Sequence, residues 1–232
     1  MRFGPLPLAE ARGAVLAHSI GLPSGKLKKG RALTADDIAA LGAAGHETVI
    51  AARLEAGDVA EDAAAARIAA ALAPDPAALG LDVSAAFTGR VNLYAREAGV
   101  LTVEAETVDA LNALDEAVTL ATLPPFARVE ARQMVGTVKI IPYAAPGRAV
   151  ERAEALLAPA PPLRAHPVGR RSASLVLTRT PGMADRTIEK GAQAVRTRLA
   201  ALGLEEAGET VVPHETEAVA RAVARAAGAL AP

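Results

Sequence analysis

Two short segments combine residue types that recognise anions. In Leu177-Thr178-Arg179-Thr180-Pro181-Gly182 a guanidinium stands between two hydroxyls, and Pro181-Gly182 breaks the apolar run that precedes it. Such a break, at the C-terminal end of a first strand and ahead of a helix, is where open α/β sheets commonly bind ligands. Backbone N–H groups and the helix dipole at that point favour an anion such as phosphate. Thr178, Arg179, Thr180 and Gly182 are therefore candidate binding residues; an ordinary strand-to-helix loop is the competing reading. In Phe87-Thr88-Gly89-Arg90-Val91-Asn92, Arg90 and Asn92 alternate with Val91 along a strand that follows a glycine turn. A guanidinium and an amide so placed suit anion or pterin-type recognition, although Asn92 serves equally well to satisfy nearby backbone. Asn112, Asp115 and Glu116 form a third polar group. Paired carboxylates can exchange protons or hold a metal, but adjacent ones at a helix end are ordinarily solvated. Lys139, between Val138 and Ile140, and the basic loop Lys26, Lys28, Lys29 and Arg31 read as solvated charge.

Other chemistry is excluded by what is missing. The 232 residues contain no Cys, so disulfides, thiolate metal sites and a Cys nucleophile are all ruled out. His18, His46, His166 and His214 lie far apart, without metal-ligand spacing. There is no G-x-S-x-G elbow, no phosphate-binding G-x-x-x-x-G-K-[ST] loop and no G-x-G-x-x-G. Lys+Arg 25 against Asp+Glu 26 leaves a net charge of -1, and with 3 Phe, 2 Tyr and no Trp the chain lacks base-stacking platforms. Nucleic acid is thus not an expected partner. No run approaches the roughly 18–20 apolar residues of a membrane span. Pro5, Pro7, Glu10 and Arg12 interrupt any signal-peptide core, so a cytoplasmic protein is expected.

The elements that must position these segments divide the chain into three parts. Residues 1–80 read as an α+β subdomain. It has an extended stretch at Ala14–Ile20, a Gly/Lys loop, and a helix opened by the capping-box spacing of Thr34 to Asp37. A strand at Glu47–Ala52 and an Ala-rich helix at Asp58–Leu72, capped by Asp58, complete it. Residues 81–158 carry short strands at Val83, Val91–Tyr94, Val100–Val103, Ala117–Leu120 and Val135–Ile141, which suit a small sheet or half-barrel, and a closing helix at Arg148–Leu157. Ala158–Arg171, with Pro159, Pro161, Pro162 and Pro167, reads as a linker. Residues 171–232 then read strand–helix–strand–helix: Ser174–Leu177, a helix capped by Asp185, Thr210–Val212, and a helix from Thr216. This is the opening of a parallel α/β sheet. Two strands rarely make a stable sheet, and Leu175, Val176, Val211 and Val212 call for a third. The chain is therefore expected to continue naturally beyond Pro232, and to self-associate through this edge or bury it against the N-terminal part.

Several segments resemble proteins of molybdenum cofactor biosynthesis. Leu27–Leu33 (LKKGRAL), with Asp36–Leu41 and Gly45, resembles the KKG-x-x-L…DI-x-x-L-x-x-x-G segment that precedes the pterin-binding domain of molybdopterin molybdotransferases. Phe87–Leu93, Ala113–Leu123 and Thr137–Pro142 (FTGRVNL, ALDEAVTLATL, TVKIIP) resemble the N-terminal region of bacterial molybdopterin-binding proteins. In some of those, a domain similar to molybdenum cofactor cytidylyltransferases follows. The part from Ser172 is similar to the first βαβα of the molybdopterin-binding fold shared with molybdopterin adenylyltransferases.

The resemblance implies molybdopterin as cofactor, with Mg as a further ion for which no ligands are identified, and it names a pterin phosphate as the ligand of the residues picked out above, Thr178, Arg179, Thr180, Gly182, Arg90 and Asn92. It also implies a molybdoenzyme or maturation partner, while the expectation of a homo-oligomer rests on the uncovered sheet edge. Metal insertion or nucleotidyl transfer would be the associated reaction. The family's Gly-Gly-Thr-Gly-type loop after the third strand, and the acidic residue following it, have no counterpart here, so no catalytic residue is carried over. The alternative is a non-catalytic module that docks such a partner.

Overall fold

A computed structural model describes residues 1–229. The chain is of mixed α and β class, with its sequence of elements falling into three packed groups. The first holds β1 (Arg2–Pro7), β2 (Val15–Leu16), β3 (Ile20–Leu22), β4 (Gly25–Leu27), α1 (Ala35–Ala43) and β5 (Thr48–Arg53). β1, β5 and β2 form an antiparallel sheet in that order, and β3 and β4 a small hairpin turning at Pro23-Ser24. α1 begins where the sequence predicts. The Asp37 N–H donates to Thr34 Oγ1 at 3.2 Å, and the Thr34 N–H donates to the Asp37 carboxylate at 3.0 Å. The same carboxylate accepts from Arg31 Nε at 2.8 Å, which holds it below its ordinary range. Leu6, Leu16, Leu33, Leu41 and Val49 close a core of their own.

The second group runs through β6 (Asp58–Ala60), α2 (Glu61–Leu72), β7 (Leu81–Val83), β8 (Arg90–Ala95), β9 (Gly99–Val103) and α3 (Ala105–Asn112). It continues with β10 (Val118–Thr122), β11 (Arg128–Val129), β12 (Met134–Ile140), β13 (Ala144–Pro146), α4 (Gly147–Leu157) and β14 (Leu163–Pro167). Three antiparallel sheets, β10-β12-β8-β7, β11-β9-β14 and β13-β6, enclose one apolar core. The alternation along β8 and β12 decides which way they face. Val91, Leu93, Val138 and Ile140 turn inward, while Arg90, Asn92, Thr137 and Lys139 turn outward.

Three expectations are corrected here. α2 belongs to this second core, through Ala64, Ile68 and Leu72, and not with the residues that precede it; its Arg67 makes a bidentate pair with Glu154 of α4 at 2.8 and 2.6 Å. Asp58 does not cap α2, whose N-cap is Ala60 without a side-chain bond. The Asp58 carboxylate instead accepts from the Glu55 N–H at 2.7 Å and pairs with the Met1 ammonium at 2.8 Å. The proline-rich segment is not a bare linker either. β14 pairs with β9 from Leu163↔Val103 to Pro167↔Gly99, and Leu163 and Ala165 are buried in the core. Pro159, Pro161 and Pro162 precede β14, and Pro167 at its end is tolerated because β14 is an edge strand.

The third group is β15 (Ser172–Arg179), α5 (Asp185–Ala200), β16 (Glu205–Pro213) and α6 (Thr216–Ala229). β15 and β16 are parallel, in register from Ser172↔Glu205 to Arg179↔Pro213. Both strands are longer than the apolar runs alone indicate. Among the described residues they have no third strand, and they pack chiefly against α5 and α6. Leu175 and Val212 are buried, yet Val211 stays 41% exposed. Only 168–171, without regular structure, joins this group to β14. Trypsin is therefore expected to cut first at Arg170 or Arg171. First cleavage at Arg164, which donates to the Ala78 carbonyl within the β14 region, would contradict this packing.

Candidate functional site

The parallel pairing of β15 and β16 brings their C-terminal ends together. A cleft of about 430 Å³ opens there, lined by Arg179, Thr180, Gly182, Met183, Val211 and His214 among others. Thr178, at the end of β15, lies with its Oγ1 3.0 Å from His214 Nδ1, and the His214 N–H donates to the Arg179 carbonyl at 2.9 Å. Four of the six residues singled out from sequence thus surround or border one opening. His214 was overlooked because no local pattern marks it. Only the parallel register, with Thr178 beside Val212 and Arg179 beside Pro213, carries it across to Thr178.

Carboxylates offset the cation of this opening: Arg179 faces Asp185, and Glu215 also lines the cleft. Arg179 Nη2 donates to Asp185 Oδ1 at 2.5 Å, across the loop between them, and Nη1 reaches the Met183 carbonyl at 3.5 Å. Asp185 is therefore not the helix cap. It is the first residue of α5, whose N-cap is Ala184 without a side-chain bond. Its carboxylate answers the guanidinium of Arg179 in place of the helix N–H groups. With side chains 43% and 89% exposed, the pair is screened by water and adds little stability. It does hold the guanidinium over the loop, where an incoming anion must compete with Asp185.

The structure keeps Arg90 and Asn92 apart from this cleft, on the outward face of β8. Asn92 is engaged by its neighbours. Thr137 Oγ1 donates to its Oδ1 at 2.9 Å, its Nδ2 donates to Tyr94 Oη at 3.2 Å, and its backbone N–H donates to Ser84 Oγ at 3.0 Å. Arg90 stands directly opposite Lys139 of β12 in the antiparallel register. Asn112 braces β10, donating to the Leu120 carbonyl at 3.0 Å and accepting from the Leu120 N–H at 2.7 Å. Asp115 Oδ1 accepts from the Ala117 N–H at 3.0 Å. Those two side chains thus have structural work that explains them. Among the described residues no group of three or more His, Cys, Asp or Glu is placed to hold a metal ion, so Mg gains no ligand set from them. No helix of the described residues is long and apolar enough to cross a membrane.

Residues 5–53, which coincide with most of the first group of elements, match a family described as a domain of unknown function, DUF8806. No curated protein and no solved structure matches the chain.

Proposed function

We propose that this chain binds molybdopterin in the biosynthesis or maturation of the molybdenum cofactor, in a cytoplasmic setting, and that it anchors the pterin phosphate in the cleft at the ends of β15 and β16. The observation carrying the reading is the gathering of Thr178, Arg179, Thr180, Gly182 and His214 round that cleft at the C-terminal ends of parallel strands. The identity of the ligand rests on the resemblance of the LKKGRAL, FTGRVNL, ALDEAVTLATL and TVKIIP segments, and of the part from Ser172, to the molybdopterin-binding family. The donor set suits a phosphate monoester: a guanidinium, a threonine hydroxyl, an imidazole and the backbone N–H groups of the loop can each donate to its oxygens. Met183 and Val211 offer apolar surface for a ring. Any metal chemistry belongs to the bound cofactor; the residues of this chain hold and orient it.

Calorimetry of the chain with a pterin phosphate tests this. Arg179→Ala is expected to weaken binding by about 1–3 kcal/mol, the scale of one charge-assisted hydrogen bond. Asp185→Asn, by removing the competing carboxylate, is expected to tighten it. Equal binding by wild type and Arg179→Ala would make the loop structural. A second reading, a module that docks a molybdoenzyme, a maturation partner or a second copy of the chain, draws on the bare edges of β15 and β16 and on exposed Val211. It prevails if the protein captures such a partner and no pterin phosphate.

A further inference from the structure

A second cleft, of about 460 Å³, lies where the first and second groups of elements meet. It is lined by Lys29 and Gly30 from the β4–α1 loop, Glu61 at the start of α2, Thr88 in the turn before β8, and Lys139 and Tyr143 around the end of β12. The segments LKKGRAL, FTGRVNL and TVKIIP, distant in sequence, thus each contribute to one opening. Ligands favour such junctions between packed units.

The charges at this opening form no direct ion pair with one another. The Glu61 N–H donates to the Tyr143 carbonyl at 3.0 Å, but its half-buried carboxylate makes no hydrogen bond and no ion pair among the described residues, while Lys29, Lys139 and Arg90 make no ion pair. Lys139 Nζ donates to the Thr88 carbonyl at 2.5 Å, leaving two N–H donors free, and Lys29 Nζ lies 5.9 Å from the centroid of the Tyr143 ring. Arg90 and Lys139, directly opposite on neighbouring strands, are an unfavourable like-charge pair unless something negative lies between them. Burial pushes the Glu61 carboxyl above its usual range, against the pull of Lys139 and Lys29. The backbone beside it is strained, since Thr88 adopts φ 50°, and strain of this kind in a residue other than glycine gathers at ligand sites.

We propose that this cleft binds a small organic anion, a phosphate or a carboxylate, whose negative group meets Lys29 and Lys139 and whose N–H or O–H donor meets Glu61. Lys29 and Lys139, with Arg90 adding to the field from the strand edge, outnumber the carboxylates of Glu61 and Asp62 and select the anion. An unpartnered acceptor beside them selects a ligand that also donates. Ile141, Pro142 and the Tyr143 ring supply the apolar wall for its carbon skeleton. This site is separate from the β15–β16 cleft and does not depend on the reading given for it.

Amide chemical-shift titration of the full chain, with inorganic phosphate and with phosphoethanolamine as probes, tests the proposal. Saturable shifts are expected at Gly30, Thr88 and Gly89, and Lys139→Met or Lys29→Met should weaken both probes about tenfold or more, the loss of one charge-assisted hydrogen bond. Glu61→Gln should tighten inorganic phosphate, since a like charge is removed, and should weaken phosphoethanolamine relative to it. Shifts that do not saturate, or equal titration by the folded lysine variants, overturn the site. Equal effects of Glu61→Gln on both probes overturn the role of Glu61. Shifts at Gly182 and Met183 report on the other cleft, so the two can fail separately.

Discussion

Gly99→Ala is expected to destabilise the protein by about 3 kcal/mol or more, the scale of a backbone overlap that a packed sheet cannot relieve. A Cβ at this position would lie 1.9 Å from the His166 carbonyl oxygen and 2.8 Å from its carbon. Neither is the end of a flexible side chain. Gly99 is the end residue of β9, facing Pro167 of β14 and Val129 of β11. The overlap can be relieved only by separating β14 from β9, which would withdraw Leu163 and Ala165 from the core. Gly169→Ala supplies the comparison, because a Cβ there meets nothing within 4 Å. That change should stay within about 0.5 kcal/mol of wild type, as surface substitutions usually do. Urea denaturation of both variants decides the matter. If Gly99→Ala is as stable as Gly169→Ala, the strand at Leu163–Pro167 is not packed as described.

Gly89→Ala is expected to cost about 2–3 kcal/mol, combining left-handed backbone strain with a close approach. Gly89 has φ 68°, and its Cβ would lie 2.7 Å from Glu61 Oε2 and 3.0 Å from the Ile140 carbonyl oxygen. Glu61 can rotate away. Ile140 cannot easily follow, because its N–H donates to the Gly89 carbonyl at 2.8 Å. The Gly89 N–H also donates to Asp62 Oδ1 at 2.6 Å, tying the turn to the first turn of α2. Gly182→Ala separates the two contributions: φ is 80° there, but no atom lies within 4 Å of the added methyl. It should cost only about 1 kcal/mol, the backbone term alone. Thermal unfolding of both variants measures the difference. Equal losses would show that the close approach of Gly89 to the Ile140 carbonyl exerts no pressure on the fold.

Local signals were legible wherever the stabilising partner lies within a few residues. The Thr34–Asp37 capping box, the strands around Val91–Tyr94 and Val135–Ile141, and the helix ending at Leu157 stand close to where sequence places them, because capping and alternation are short-range effects. Asp58 and Asp185 have the residue type of helix caps, yet each carboxylate turns to a cation and leaves the helix N–H groups. The partner of Asp58 is 57 residues away at Met1, that of Asp185 six residues back at Arg179. A charge takes the strongest partner in reach, and reach is set by the fold. Three prolines ahead of β14 and Pro167 at its end disguised an edge strand, since proline signals a break locally while an edge strand needs hydrogen bonds on one side only.

The candidate sites divide the same way. The loop Thr178–Gly182 could be read from strand, break and helix in succession. His214 could not, because only the parallel register of β15 and β16 places it beside Thr178. Lys29 and Lys139 each read singly as solvated charge, Arg90 reads as an anion ligand together with Asn92 and not with the lysines, and Glu61 attracts no notice in the first turn of a helix. The amino-acid sequence by itself determined the helices, most strands and the α+β character, all products of periodicity and local backbone chemistry. Tertiary structure alone decided which unpaired charges face one another, because electrostatic partnership depends on distance in space and not along the chain.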